Sequence, residues 1–151
     1  MDKIERYKYN IEMCIEIFNS TVLGIKEQIK SELEDDVELN IYYIAIEATI
    51  KKNIITPLIL FINHIYTNDV IRRKLIEKDE VFFSNSSHSE IGLSEKNKEH
   101  VEMFFLFQRY WKILPTSKKE YIKDAMETLV KTARTYLKIK GKYDDLMEKT
   151  K

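Results

Sequence analysis

Glycine and proline are almost missing from this chain, with three of one and two of the other in 151 residues. Hairpins and tight crossovers need residues that tolerate positive φ or preset a turn. A chain this poor in both is restricted to helices joined by few connections. Pro57, Gly92, Pro115 and Gly141 sit at the edges of helix-patterned segments, and Gly24 alone interrupts one. The same scarcity removes the glycine-rich loops that cradle phosphates in many nucleotide enzymes. The reading that follows is an all-α, single-domain bundle of five or six helices with an apolar central helix near residues 57–67.

The hydrophobic pattern supplies those helices. Ile4, Ile11, Phe18 and Ile25 recur every seven residues, with Ile15, Val22 and Ile29 between them, which predicts a long amphipathic first helix to about Leu33. Asn19-Ser20-Thr21 and Gly24 mark a kink, a split or a close-packing point within it. A second helix is predicted over about Val37–Asn53, with Ile41, Tyr42, Ala45, Ile46, Thr49 and Ile50 inward and Ile44 widening the stripe. Thr56-Pro57 opens a third, and Asp69–Lys78 reads as a fourth. Residues 84–94 are serine-rich and read as an exposed loop before a fifth helix over about Glu95–Leu114. Ser117-Lys118-Lys119-Glu120 has the form of a capping box for a sixth helix that Gly141 would end. The domain expectation is one helical unit over 1–140, followed by a polar turn or tail over 141–151.

Charge and cysteine usage narrow the function classes. The 25 basic and 25 acidic side chains cancel, which speaks against a surface tuned throughout to nucleic acid. Residues 1–50 carry a balance of −6 and the remainder +6, an asymmetry able to orient a partner or a second copy. Cys14 is the sole cysteine, so neither an internal disulfide nor a cysteine-based zinc site is available. The charged start Met1–Arg6 lacks the apolar run of a secretory signal. Ile54–Tyr66, the most apolar stretch, is shorter than the roughly 20 residues of a membrane span. The expected setting is therefore intracellular, cytoplasmic or nuclear, with no membrane span. The 20 lysines against 5 arginines and the 21 isoleucines fit an AT-rich genome.

No motif for catalysis emerges, and no catalytic, cofactor-binding or metal-ligating residues are assigned. His64, His88 and His100 lack the spacing of a metal site. His64, inside the most apolar helix, reads as a partnered core histidine, with a ligand-binding bundle as the alternative. Cys14 lies near the apolar seam, where a thiol behaves as a small hydrophobe. Two surface candidates remain. Phe82, Phe104, Phe107, Tyr110 and Trp111 belong to an aromatic group denser than one face can bury, so part of it could contact another chain. Lys119, Lys123, Arg134 and Lys138 share one side of the last helix and could bind phosphate. The Ile4–Ile29 seam could also pair with its own copy.

The run Lys78-Asp79-Glu80-Val81-Phe82-Phe83, the serine-rich gap, then Phe107-Gln108-Arg109-Tyr110-Trp111-Lys112-Ile113-Leu114 and Lys118-Lys119-Glu120-Tyr121-Ile122 resemble small uncharacterised helical proteins of nucleocytoplasmic large DNA viruses. The likeness covers about Lys74–Lys138 and implies a viral origin, with a virion or infected host cell as the setting. It implies no activity. The functional expectation is a non-enzymatic helical interaction or structural module with a protein partner or its own copy. Nucleic-acid association through the basic face is the alternative.

Overall fold

The computed structural model describes residues 1–85 and 108–150. Every regular element among them is helical, so the protein is all-α. The elements are α1 (Lys3–Glu32), α2 (Val37–Lys52), α3 (Thr56–Phe61) running on into a π-helical turn (Ile62–Tyr66), α4 (Asp69–Glu77), α5 (Glu80–Asn85) and α6 (Thr116–Lys149). Residues 108–111 are also helical. The fifth helix expected over 95–114 and the loop over 84–94 fall largely outside the described residues, as do His88, Gly92 and His100.

The frame is α1 laid antiparallel along α6. Lys118, at the start of α6, reaches the Gln28 carbonyl (3.3 Å) and the Glu32 carboxylate (3.0 Å) near the end of α1. Next along, Gly24 faces Tyr121, and further on Cys14 and Tyr136 are buried in the same core. The predicted seam forms this contact: Ile15, Phe18 and Ile25 are buried, with Ile11, Val22 and Ile29 packed against the same core. The seam is thus occupied within one copy and is not free to pair with another. Leu58 and Phe61 close the core from α3, Ile62 from the π-helical turn, Ile71 and Leu75 from α4, and Phe18 meets Phe61 edge-on at 5.3 Å.

Local chemistry sets the boundaries. Asp2 and Glu5 form a reciprocal capping box at the start of α1, with Glu5 N–H donating to Asp2 at 2.8 Å. Asp36 caps α2, Asn68 caps α4 through the amides of Val70 and Ile71, and Asp79 caps α5 through Phe82 N–H. Lys78, in the left-handed conformation (φ 55°), separates α4 from α5. The expected central apolar helix forms as α3 and its π-helical turn, with Leu58, Phe61 and Ile62 buried, Leu60 exposed, and Ile54 exposed in the turn before it.

Three boundary expectations need correction. Helix α1 is continuous through Asn19–Gly24, with no split. Pro115 stands at the N-cap of α6 and Thr116 is already helical, so the Ser117–Glu120 box lies inside the helix and does not cap it. Gly141 does not end α6 either. The helix runs eight residues further to Lys149, and most of the expected polar tail is helical. Long helices held by a tertiary partner tolerate one glycine at a cost of about 1 kcal/mol. Because nothing lies within 4 Å of a Cβ built at Gly141, Gly141→Ala should stabilise the protein by about 0.5–1 kcal/mol, read from the urea midpoint.

Gly24 is different. A Cβ there would lie 2.5 Å from the Tyr121 hydroxyl oxygen and 3.6 Å from the ring carbon bearing it. Removing that oxygen turns a clash into ordinary contact. Tyr121 is 43% exposed and can swing aside, so Gly24→Ala alone should lie within about 0.5 kcal/mol of wild type, propensity gain offsetting displacement. In a Tyr121→Phe background the same change should yield the full gain of about 1 kcal/mol. Equal effects in both backgrounds would refute the contact.

Candidate interaction surface

Of the predicted aromatic residues, the structure places Phe82 and Trp111 inside the molecule. Phe82 and Trp111 are 4% and 1% exposed, and Phe83 is equally buried. The Trp111 ring stacks on Phe83 at 4.7 Å, and its Nε1–H donates to Glu80 at 3.0 Å. Gln108 donates to the Phe82 carbonyl at 3.0 Å, joining α5 to residues 108–111. Phe82 and Trp111 are therefore core residues, a correction to their reading as partner-binding groups. Tyr110 is half-buried and donates to Asp36 at 2.5 Å. That hydrogen bond holds the Asp36 carboxyl below its ordinary range. Phe104 and Phe107 lie outside the described residues.

The basic set divides. Lys123 is 12% exposed and its ammonium sits 2.5 Å from Glu80, with Glu120 at 3.5 Å. This pairing raises the Lys123 pKa and depresses that of Glu80. Lys119 lies over the Trp111 ring at 5.9 Å. Lys123 serves the α5–α6 junction, and Lys119 the contact of α6 with residues 108–111. Arg134 and Lys138 are exposed, and Lys131 and Lys142 share their side of α6. Among the described residues no group of three His, Cys, Asp or Glu side chains is arranged to hold a metal ion. His64 is half-buried in the π-helical turn. Burial pushes the Cys14 thiol pKa up, away from the reactive thiolate.

On α2 the expected stripe holds in part: Tyr42, Ile46, Thr49 and Ile50 are half-buried on the packed side. The stripe expected to face inward includes Ile41 and Ala45, and both are exposed. The buried residues are Leu39 and Tyr43, one turn apart, against Ile29 and Leu33 of the α1 end and Tyr110. Lys26, 7% exposed, fastens this inner side by pairing with Glu47 on α2 and with Glu27 on its own helix. Arg109 adds a 3.0 Å bond to Glu38. The opposite side of α2 presents Val37 (74% exposed), Ile41 (62%) and Ile44 (68%), with Ala48 next in line. Spacings of four, three and four put these on one stripe. Burying one such side chain is worth about 1.5–3 kcal/mol, so three side by side in water are a large unclaimed term.

The helix is thus apolar on two opposite faces, one packed and one open. Helices apolar all round belong in interiors or interfaces. The sequence carries the signal: apolar residues cover more of α2 than one contact can bury, with Leu39 and Tyr43 on one face and Val37, Ile41 and Ile44 on the other. Charges flank the open stripe unevenly, with Glu34, Asp35, Asp36 and Glu38 at its start and Lys51 and Lys52 at its end. Each group suits its end of the helix dipole. No helix among the described residues is long and apolar enough to cross a membrane, so the stripe is not part of such a span. No family model, curated protein or solved structure matches this chain.

Proposed function

We propose that this protein is a non-enzymatic helical interaction module that binds its partner through the outward face of α2. The observation carrying this reading is the open stripe Val37, Ile41, Ile44 and Ala48 on a helix whose other face is already packed. A partner helix laid on the stripe would remove its apolar surface from water, which is the usual driving force of association. The resemblance over about residues 74–138 adds a viral origin to the proposal. The test is a photo-crosslinking residue at position 44, with position 134 on the remote face of α6 as control. A defined adduct at 44 and none at 134 is expected. No adduct at 44 in purified protein or in cells producing it would refute the reading.

A second reading, nucleic-acid association, draws on Lys131, Arg134, Lys138 and Lys142 along one exposed side of α6. It requires binding that weakens steeply between 50 and 200 mM salt, by roughly 50- to 150-fold for four phosphate contacts, and that is lost in Arg134→Glu/Lys138→Glu. Absence of binding at low salt would remove it.

A further inference from the structure

The open stripe of α2 has a pattern that complements itself. Its residues fall at 37, 41, 44 and 48, the four–three–four spacing of a short coiled-coil seam. When two such helices are laid antiparallel about a two-fold axis, Ile41 meets Ile44 of the second copy and Val37 meets Ala48 of the second copy. The same two layers repeat on the other side of the axis. Large residues meet, and the one small residue receives valine.

Charge points the same way. The register that aligns these layers brings Lys51 and Lys52 to the end of the second copy's α2 that Glu34 and Asp35 precede, and the reverse pair closes by symmetry. All four side chains are exposed. A parallel arrangement would instead set acid against acid and lysine against lysine. An antiparallel pair also opposes the two helix dipoles.

We infer that the partner of the α2 face is a second copy of this chain, bound as an antiparallel, two-fold α2–α2 pair. This inference rests on the α2 reading above and adds the identity of the partner. Sixteen residues make a contact about 24 Å long. One helix face of that length falls short of the roughly 1,600 Å² of a standard stable interface, so the dimer is weak and reversible.

Sedimentation equilibrium of the full chain from about 5 μM to 1 mM tests it, and a concentration-dependent monomer–dimer equilibrium is expected over that range. Ile41→Glu/Ile44→Glu should be monomeric throughout, with an unchanged melting temperature because both positions are exposed. Two charge-reversed proteins, Glu34→Lys/Asp35→Lys and Lys51→Glu/Lys52→Glu, should each dimerise roughly tenfold more weakly at low salt. Mixed one to one, they should recover wild-type affinity as a heterodimer, since both cross-pairs are restored. Failure of the mixture to recover would overturn the antiparallel register. A wild-type monomer at 1 mM would overturn the inference. If the crosslinker at position 44 then gave an adduct of a different protein, the interaction reading would stand and only the second copy would be lost. A monomer whose melting temperature falls in Ile41→Glu/Ile44→Glu would place the chain's own residues on the stripe, and would likewise overturn it.

Discussion

Replacing Trp111 by alanine is expected to lower the unfolding free energy by about 3–5 kcal/mol, the range for a large aromatic deleted from a packed core. The side chain is 1% exposed, stacks on Phe83 at 4.7 Å and donates through Nε1 to Glu80 at 3.0 Å. Glu80 also holds Lys123 on α6, so the indole joins α5 and α6 through one carboxylate. Its loss opens a cavity, leaves Glu80 with one partner fewer and uncovers Phe83. A small domain has about 5–15 kcal/mol of total stability, so the variant should be partly unfolded at 37 °C. Trp111→Phe keeps an aromatic ring, loses the hydrogen bond and the second ring, and should cost less than half as much. Urea unfolding followed by far-ultraviolet circular dichroism gives both numbers. A surface binding residue would behave otherwise, with Trp111→Ala staying within about 0.5 kcal/mol of wild type. That result would put the aromatic cluster back among the contact surfaces.

Helix existence was legible because it depends on local features the chain states openly. The Ile4–Ile29 seam, the break between Leu33 and Val37 and the Thr56-Pro57 start all appear where their side chains demand. Helix ends were less legible where tertiary contact overrides propensity. Gly141 carries a helix penalty, yet the helix continues past it, with Tyr143, Leu146 and Met147 partly buried beyond it. The Ser117 box failed because the helix starts two residues earlier, with Pro115 in the N-cap position. The candidate surface was misread for a related reason. Periodicity locates a helix but cannot choose between two apolar faces, and in α2 the deciding contacts are Tyr110–Asp36, Arg109–Glu38 and Lys26–Glu47, over separations of 21 to 74 residues. Aromatic density around Trp111 likewise signals burial or binding equally well until neighbours are known. The fold places Phe82, Phe83 and Trp111 together and thereby settles those three.

Asn19→Asp should be the most pH-sensitive single change. Asn19 is buried in the middle of α1, and its Nδ2 donates to the Ile54 carbonyl at 2.7 Å, tying α1 to the turn before α3. Its Oδ1 accepts nothing among the described residues. A carboxylate there would put a negative oxygen against that carbonyl and would find no donor for either oxygen. The penalty at pH 7 is about 3 kcal/mol or more, the scale of an uncompensated buried charge. Protonation relieves it, because the neutral acid can again donate to Ile54. Burial therefore raises the pKa of the new group, and the penalty falls away as pH drops through that raised value. The native carboxylates slope the other way. Glu80 is held low by Lys123, Asp79 by the Phe82 amide and Asp36 by the Tyr110 hydroxyl. The stability they contribute is complete above their ordinary range and is lost as pH falls through their depressed values. Melting curves from pH 7 to 3 should thus show wild type losing stability with acid while the gap to Asn19→Asp narrows. Asn19→Ala separates charge from hydrogen bond: it leaves the Ile54 carbonyl unpaired, should cost about 1–3 kcal/mol and should keep a constant gap at every pH. A constant gap for Asn19→Asp as well would mean that the site is open to water, and the joint between α1 and the α2–α3 turn would then be a surface contact.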